Sequence, residues 1–325
     1  MTIHPAVQRT TSKFEAYELH AARAGREVMQ ALASVVADSS ASTLDSLAAD
    51  LESNADALLQ VMPMYAPPIN AMHQVFSRLE QARRSHRSLE GFRAEIAQSA
   101  DSYREWSERA RAAIAGYGSN VIPNGGVVYT FTLSETVLGT LREAWKRGVR
   151  FRVMVTESRP NRDGRATASS LADVGIDVDI SIDGCAGEMV PQADVMLVGA
   201  EAVLSDGSAI CKVGTYPSAL AARDYGVPVY VLVDSLKLHP TSLFGQPLWL
   251  DPLRSADVLE EKSAPSAVAC GHLFDRTPAD LISAIITERG LMHPSQVSQW
   301  MLEMPISDSI VARLRQQKHR GPEGA

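Results

Sequence analysis

The sequence has little that would cross-link the chain or anchor it elsewhere. It has three cysteines, Cys185, Cys211 and Cys270, and no Cys-x-x-Cys pair, which argues against both a disulfide framework and a zinc site. Its eight histidines show no metal-ligand spacing, so we expect no metal and no cofactor. No apolar run approaches the ~18 residues of a membrane span, and the first residues lack the layout of a signal peptide. These absences predict a cytoplasmic protein without a membrane partner.

The composition also lacks an excess of basic residues. Lys and Arg number 31 against 38 Asp and Glu, which gives a net charge of −7. Binding to nucleic acid needs clustered positive charge to neutralise phosphates, so we expect no nucleic-acid partner. What is present is an ordinary soluble composition, with 45% hydrophobic residues over 325 positions. That length matches two domains, each large enough to bury a core without staples.

The first third of the chain has only helical spacing. Between about residues 13 and 117, apolar side chains recur every three or four positions, as at Val28 and Leu32. The pair Pro67-Pro68 is expected to interrupt this pattern. The spacing predicts an all-helical N-terminal domain of four or five helices, bounded at residues 1–120.

After residue 120 the pattern alternates between short β-branched runs and helical stretches. Gly148, Gly175 and Gly226 each follow a helical stretch at the position of a left-handed helix C-cap. Runs that are apolar on both faces and separated by helices indicate a parallel sheet covered on both sides. We therefore predict a doubly wound parallel α/β domain over residues 121–325. Its strands are expected at Val127–Tyr129, Phe151–Val155, Val178–Ile182, Val195–Val198 and Val229–Val233.

The loops after these strands carry the candidate site residues, because ligands of such sheets bind at the carboxyl ends of the strands. The first loop opens a helix, so Ser134 is either a helix N-cap or an anion ligand together with the helix N-terminus. After the second strand, Glu157 and Arg159 either pair with each other or present a hydroxyl acceptor and a phosphate donor to a ligand. Glu201 follows the fourth strand.

Two lysines lie in the later loops. Lys212 and then Gly214-Thr215 precede a helix, where an ammonium group and backbone N–H groups can together hold a phosphate. Lys237 adds a cation after the last of the five strands. The spacing is neither that of a P-loop nor Gly-x-Gly-x-x-Gly, so the sequence gives no motif for a nucleotide.

These segments, in this order, resemble one family. The runs TESRP, GAEAV, DGSAICKVGT and VPVYVLVDSLK, with FDRTPADLISAIITERG nearer the C-terminus, are similar to the superfamily of the alpha, beta and delta subunits of eukaryotic translation initiation factor 2B. That superfamily also contains isomerases of methylthioribose-1-phosphate and ribose-1,5-bisphosphate. The resemblance covers about residues 120–290. It implies a helical N-terminal domain, a Rossmann-like C-terminal domain, a phosphorylated sugar as ligand, and a homodimer.

The resemblance also implies site residues, from which this chain departs. In the isomerases a catalytic Cys occupies the position of Thr132 and a catalytic Asp the position of Glu201. An Asn precedes the motif lysine where this chain has Cys211, and Ala66–Asn70 replaces an Arg-Pro phosphate-binding segment. A Glu after Gly-Ala is typical of the non-catalytic alpha subunit. Threonine is a poor proton carrier beside cysteine, whose thiol pKa is ~8.5.

Three functions remain as alternatives. The first is an aldose-1-phosphate to ketose isomerase of altered specificity, in which Glu201 moves a proton between C2 and C1 of the sugar and Cys185 or Cys211 supplies a relocated thiol. The second is a non-catalytic sensor of sugar phosphates or nucleotides, and the third is a regulatory subunit resembling translation initiation factor 2B alpha. The candidate catalytic residues are Glu201, Thr132 and Cys185; the candidate substrate ligands are Ser134, Glu157, Arg159, Cys211, Lys212 and Lys237.

Overall fold

Among the described residues, the first third of the chain contains helices and no strand, and strands alternate with helices after it. The structure is a computed structural model that describes residues 3–16, 19, 21–61, 65–245, 250–259 and 267–316. Over these residues the α-helices are α1 (Pro5–Glu15), α2 (Ala21–Asp38), α3 (Leu44–Val61), α4 (Ala66–Arg84), α5 (Leu89–Gly118), α6 (Glu135–Lys146), α7 (Asp163–Ala172), α8 (Ala186–Met189), α9 (Thr215–Asp224), α10 (Ser255–Val258), α11 (Val297–Met301) and α12 (Asp308–Gln316). The strands are β1 (Gly126–Thr130), β2 (Phe151–Thr156), β3 (Asp177–Ser181), β4 (Val195–Val198), β5 (Ala202–Val203), β6 (Ala209–Lys212), β7 (Val229–Leu232), β8 (Phe274–Thr277), β9 (Ala284–Thr287) and β10 (Gly290–Met292).

The chain forms two compact units, and neither is continuous in sequence. A helical unit comprises the described residues within Met1–Ser107, Leu236–Leu248 and Trp300–Ala325. A sheet unit comprises those within Glu108–Ser235 and Trp249–Gln299. This division differs from the single boundary after residue 120 that the sequence suggested, because two later segments belong with the helices.

The C-terminal helix α12 shows why a late segment joins the helical unit. Its apolar residues Ile310 and Leu314 are buried in the same core as the apolar residues of α2, α3 and α4. On its polar side, Arg313 pairs with Glu52 at 2.8 Å and with Asp56 at 2.5 Å, both on α3. Burial of the apolar face supplies the stabilisation, and the ion pairs fix the register of α12 against α3.

The helical pattern is divided between α3, which ends at Val61, and α4, and the prolines of α4 lie in its first turn. Pro67 and Pro68 occupy the first turn, where the backbone N–H groups have no partner within the helix, so the missing donors cost little. A Cβ at Gly25 on α2 would lie 2.7 Å from the Cβ of Pro67 and 2.6 Å from the hydroxyl of Tyr103 on α5. Glycine at this position therefore permits close packing of α2 against the other two helices.

The sheet unit contains the doubly wound sheet expected from the sequence. Among the described residues its main sheet has seven strands in the order β10-β9-β7-β4-β1-β2-β3, all parallel except β10, which pairs antiparallel to β9. The five predicted strands correspond to β1, β2, β3, β4 and β7. Gly148, Gly175 and Gly226 have positive φ at the ends of helices, as their C-cap role requires. The predicted fold class is confirmed.

A second, smaller sheet was not anticipated. Strands β5, β6 and β8 pair antiparallel in the order β5-β6-β8. Lys212 was expected in a loop, but residues Ala209–Lys212 form the central strand of this sheet. Its partner β8 lies more than 60 residues away along the chain, so the pairing has no local signal in the sequence. Strands of two to four residues are also too short to show an alternating pattern.

Candidate active site at the strand ends of the sheet unit

The candidate site lies where the strand order of the main sheet reverses. From β1 the chain proceeds through β2 to β3 on one side, and β4 then pairs with β1 on the other side. Parallel neighbours end at the same edge, and ligands of doubly wound sheets bind at such a reversal. Thr132 and Ser134 follow β1 and Glu201 follows β4, so the topology brings these two loops together.

Ser134 connects the two loops. It is the N-cap of α6, and its Oγ accepts a hydrogen bond from the backbone N–H of Val137 at 3.4 Å. A Cβ on Gly199 would lie 2.4 Å from this Oγ, so the Ser134 side chain occupies the space beside Gly199. The helix-capping alternative is therefore present in the structure, while the use of Ser134 as a substrate ligand stays a prediction.

Thr132, one of the candidate catalytic residues, is held in an unusual backbone conformation. Its φ is 61°, in the left-handed region that β-branched residues rarely adopt. Its carbonyl accepts a hydrogen bond from Thr167 Oγ1 at 2.8 Å, which helps to hold this conformation. Its own Oγ1 donates to Oδ2 of Asp163 over 3.5 Å. The hydroxyl of Thr132 thus faces a carboxylate that no sequence motif indicated.

Lys212 is the buried cation of the site. It is the last residue of β6, its side chain is 7% exposed, and its Nζ lies 3.7 Å from Oδ2 of Asp163 and 5.6 Å from the ring centre of Phe274. Burial lowers the pKa of Lys212, and the carboxylates of Asp163, Glu201 and Asp257 act in the opposite direction. The three carboxylates therefore favour the cationic form of Lys212 against the effect of burial.

Glu201 is placed by the small sheet. Its backbone N–H donates to the carbonyl of Ile210 at 2.8 Å, immediately before β5 pairs with β6. This pairing sets the loop after β4 beside the strand that ends in Lys212. The carboxylate of Glu201 is partly buried and acts electrostatically on Lys212. Two of the residues selected from the sequence, Glu201 and Lys212, therefore belong to one charged cluster.

The loop after β2 is stabilised by a carboxylate from the segment that follows β3. Asp183 accepts hydrogen bonds from the backbone N–H groups of Ser158 and Arg159, both at 2.7 Å. Glu157 and Arg159 do not pair with each other: Glu157 pairs with Arg165 at 2.6 Å. The Arg159 guanidinium donates to the backbone carbonyl of Asp257 at 3.3 Å. Arg159 is thus directed toward the segment that also supplies a carboxylate near Lys212, whereas Glu157 is engaged by Arg165 of α7.

Cys185 and Cys211 lie outside this cluster. Cys185 follows β3, which is separated from β1 by β2, or by about 10 Å at ~4.8 Å per strand. Cys211 is 1% exposed on β6, and its side chain leaves the strand on the opposite face from that of Lys212. Lys237 belongs to the segment 236–248, which is part of the helical unit. The roles assigned to these residues from the sequence stay predictions.

Asp275 changes the interpretation of the helix after Lys212. Its Oδ2 accepts hydrogen bonds from the N–H groups of Gly214 at 2.8 Å and Tyr216 at 3.0 Å, at the start of α9. Burial raises the pKa of Asp275 to about 6, against the effect of these backbone donors. The sequence predicted that Lys212 and the backbone N–H groups at this helix start bind a phosphate together. The side chain of Asp275 already accepts from these N–H groups, so this prediction is corrected: of the two, only Lys212 belongs to the cluster.

The carboxylates that organise the site were not predicted from the sequence. Asp163 contacts Thr132 and Lys212, Asp183 holds the loop after β2, and Asp257 lies near Lys212. A side-chain hydrogen bond from Arg254 is the main cause that lowers the pKa of Asp257, and Lys212 adds to it. Asp163 precedes Gly164 in a turn-like sequence, which was the available signal for a special position at the start of a helix.

Neither a membrane helix nor a metal cluster was found in the described part of the chain. None of the helices there is long and apolar enough to cross a membrane. The same residues contain no group of three or more His, Cys, Asp or Glu arranged to hold a metal ion.

Fold and site together define a doubly wound α/β protein with a charged cluster at its topological switch point, the position at which such proteins bind small ligands. The comparison with known families is specific: a model described as the initiation factor 2 subunit family (IF-2B) matches residues 19–294. The chain belongs to this family, and the resemblance drawn from its motifs is confirmed.

Individual relatives include both enzymes and translation factors by name. The chain is 30% identical over 306 residues, 93% of each sequence, to a Haloferax volcanii protein named ribose 1,5-bisphosphate isomerase. It is 26% identical to a solved structure of Pyrococcus horikoshii translation initiation factor eIF-2B, with a TM-score of 0.73 over 90% of this chain and 99% of that one. A 5-methylthioribose 1-phosphate isomerase from Pyrococcus horikoshii, 22% identical, has the same fold, with a TM-score of 0.73 over 91% and 87% of the two chains.

Proposed function

We propose that this protein is a sugar-phosphate isomerase that converts an aldose 1-phosphate to a ketose, related to ribose 1,5-bisphosphate isomerase but of altered specificity. The observation that carries the proposal is the cluster of Thr132, Glu201 and Lys212 at the switch point of the sheet. A relative named ribose 1,5-bisphosphate isomerase, aligned over 93% of the chain, supports the same reaction class.

The reaction needs a base, an acid and a group that holds the sugar. When a cyclic aldose 1-phosphate becomes a ketose, the bond between C1 and the ring oxygen breaks and the ring oxygen gains a proton. The C2 hydroxyl loses its proton, and a hydrogen moves from C2 to C1. We assign the C2-to-C1 transfer to Glu201, since a partly buried carboxylate is a suitable proton carrier. Lys212 holds sugar oxygens, and Arg159 interacts with the phosphate.

Altered specificity is supported by the segment that replaces the family's Arg-Pro. All five residues of Ala66–Asn70 are buried in the helical unit. The Asn70 amide donates to the backbone carbonyls of Leu236 at 2.6 Å and Leu238 at 2.8 Å. A segment committed to internal contacts supplies no cation for a phosphate. We therefore infer a substrate with fewer phosphate groups than a bisphosphate.

A sugar-phosphate or nucleotide sensor is the second candidate. The observation that favours it is Thr132, whose hydroxyl is far less acidic than a thiol and carries protons poorly. A sensor would bind through Lys212 and Arg159 and convert nothing. A regulatory subunit like translation initiation factor 2B alpha is the third candidate, supported by the similarity to a solved eIF-2B structure.

The deciding experiment is NMR of the purified protein with a panel of aldose 1-phosphates that includes ribose 1,5-bisphosphate and a 5-deoxy analogue. Line broadening reports binding, and new ketose resonances report conversion. We expect wild type to convert at least one member and Glu201→Gln to lose this conversion by about 100-fold or more. Glu188→Gln, which changes an exposed glutamate on α8, is the matched control and should behave as wild type.

The alternative outcomes separate the candidates. Binding of a panel member without conversion would contradict the isomerase and favour the sensor. If no member of the panel binds and none is converted, the regulatory subunit is the candidate that remains. Conversion that survives Glu201→Gln unchanged would keep the isomerase but remove Glu201 from the proton transfer.

We also infer a homodimer, as the family resemblance implies. The monomer mass is 35.1 kDa, so light scattering of the purified protein should give about twice that value. A mass of one chain at micromolar concentration would contradict the dimer without bearing on the isomerase.

A further inference from the structure

We propose that Asp163 is a third catalytic residue of this site, which accepts the proton of the sugar C2 hydroxyl and passes it to Lys212. The role rests on the isomerase activity proposed above. It concerns a residue that neither the family resemblance nor the loop motifs selected. In this role Asp163 would carry the proton that a cysteine thiol carries at the position of Thr132 in the isomerases.

One oxygen of Asp163 faces both of the groups that matter. Oδ2 lies 3.5 Å from Oγ1 of Thr132, at the family's thiol position, and 3.7 Å from Nζ of Lys212. The Asp163 side chain is 21% exposed, enough to meet a ligand, while the Lys212 side chain is only 7% exposed. A carboxylate thus stands directly beside the position where the isomerases of this family carry their cysteine.

The start of α7 holds Asp163 in place. Asp163 is the first residue of α7, and the next residue, Gly164, donates its N–H to the carbonyl of Glu157 at 3.1 Å. A Cβ on Gly164 would lie 1.8 Å from the carbonyl oxygen of Thr156, so the helix start is packed directly onto the end of β2. Glycine is required by this close approach.

The same helix fixes Thr132. Thr167 lies four residues after Asp163, on the same face of α7, and its Oγ1 donates to the carbonyl of Thr132 at 2.8 Å. Asp163 and Thr132 are therefore held relative to each other by one helix. Such preorganisation is what a proton transfer over hydrogen-bonding distance requires.

Each proton has a place to go in the resulting sequence. The Lys212 ammonium gives a proton to the ring oxygen as the C1–O bond breaks and its electron pair moves to that oxygen. Glu201 takes the C2 hydrogen as a proton, and the C–H electron pair forms a C1–C2 double bond. Glu201 then protonates C1 while Asp163 takes the C2 hydroxyl proton and the C2 carbonyl forms. Transfer from Asp163 to the Lys212 amine restores both groups. Burial makes Lys212 a stronger acid, which suits the first step.

The test compares Asp163→Asn and Asp163→Ala with wild type in the NMR conversion assay. We expect kcat to fall about 100-fold or more in both variants, with KM within about threefold, because the proton carrier is lost and the ligand contacts remain. Added formate should restore part of the Asp163→Ala activity, since a small carboxylate can fill the vacated space. Asp173→Asn, an exposed aspartate at the other end of α7, is the matched control and should match wild type.

The outcomes distinguish the role of Asp163 from the function of the protein. Wild-type conversion with Asp163→Asn within threefold of it would overturn the role of Asp163 and leave the isomerase intact. A large rise in KM without formate rescue would mean that Asp163 only positions Lys212, which also overturns the proposal. If the wild-type protein binds panel members and converts none, both the catalytic role of Asp163 and the isomerase function are overturned.

Discussion

The side chain of Ser134 fills the space in which a side chain at Gly199 would begin. A Cβ at Gly199 would lie 2.4 Å from Oγ of Ser134 and 2.9 Å from its Cβ. This contact joins the loop after β1 to the loop after β4, the two loops between which the strand order reverses. It also explains in physical terms why the Gly-Ala-Glu motif begins with glycine.

Gly199→Ala is therefore expected to destabilise the protein. The added methyl group forces Ser134 to move and disturbs its N-cap hydrogen bond to Val137, so we expect the free energy of unfolding to fall by about 1–3 kcal/mol. Urea denaturation measures this change. The matched control is Gly139→Ala within α6, where a Cβ meets nothing within 4 Å and helix propensity predicts a gain of up to ~1 kcal/mol. Equal stability of the two variants would contradict the contact.

A second prediction concerns the missing thiol. Thr132→Cys places a group with a pKa near ~8.5 beside Asp163 and Lys212, so we expect conversion to rise by about tenfold or more. Thr132→Ser is the control, since it relieves the β-branched strain at φ 61° without adding a thiol. The ketose resonances in the NMR assay report both rates. An equal gain in both variants would assign the effect to backbone strain.

Much of the fold was predictable because its signals are local. The strands β1, β2, β4 and β7 are short apolar runs, and the glycines that end three helices need positive φ, so both features are visible within a few residues. The small sheet was not predictable, because β5 has two residues and β6 pairs with β8 far along the chain. Likewise nothing local in α12 indicates that it packs with α3.

The residues of the site likewise divide into those with a local sequence signal and those that depend on contacts distant in sequence. Thr132, Glu201 and Lys212 stand in recognisable motifs, and the structure places all three near the reversal of the main sheet. Asp163 and Asp257 were missed because their importance comes from approach to Lys212 across 49 and 45 residues of sequence, which no spacing rule reports. Asp275 was missed for the same reason, as its carboxylate reaches the start of α9 from another strand.

Two histidines buried in the helical unit are kept neutral. His73 Nδ1 accepts a hydrogen bond from the backbone N–H of Ser307 at 3.1 Å, and Ser307 Oγ in turn donates to Glu80 at 2.6 Å. His239 Nδ1 lies 2.7 Å from Oγ1 of Thr241. Burial lowers the pKa of His73 to about 3, with a further contribution from His239, and burial lowers the pKa of His239 to about 4.

These pKa values predict a loss of stability in acid. Below pH ~6.5 the unfolded histidines bind protons while the folded ones do not, so the free energy of unfolding falls as pH drops from 6.5 toward 4, by about 3 kcal/mol for His73. Asp275, whose pKa is raised to about 6, acts with the opposite sign in this range, so the measured quantity is a difference between variants.

In urea denaturation from pH 7.5 to 4.5, His73→Asn should lose less stability than wild type, because the Asn Oδ1 can accept from Ser307 without titrating. His272→Gln, an exposed control, should follow wild type. If the free energy of unfolding of His73→Asn depends on pH as steeply as that of wild type, His73 is not the group that titrates.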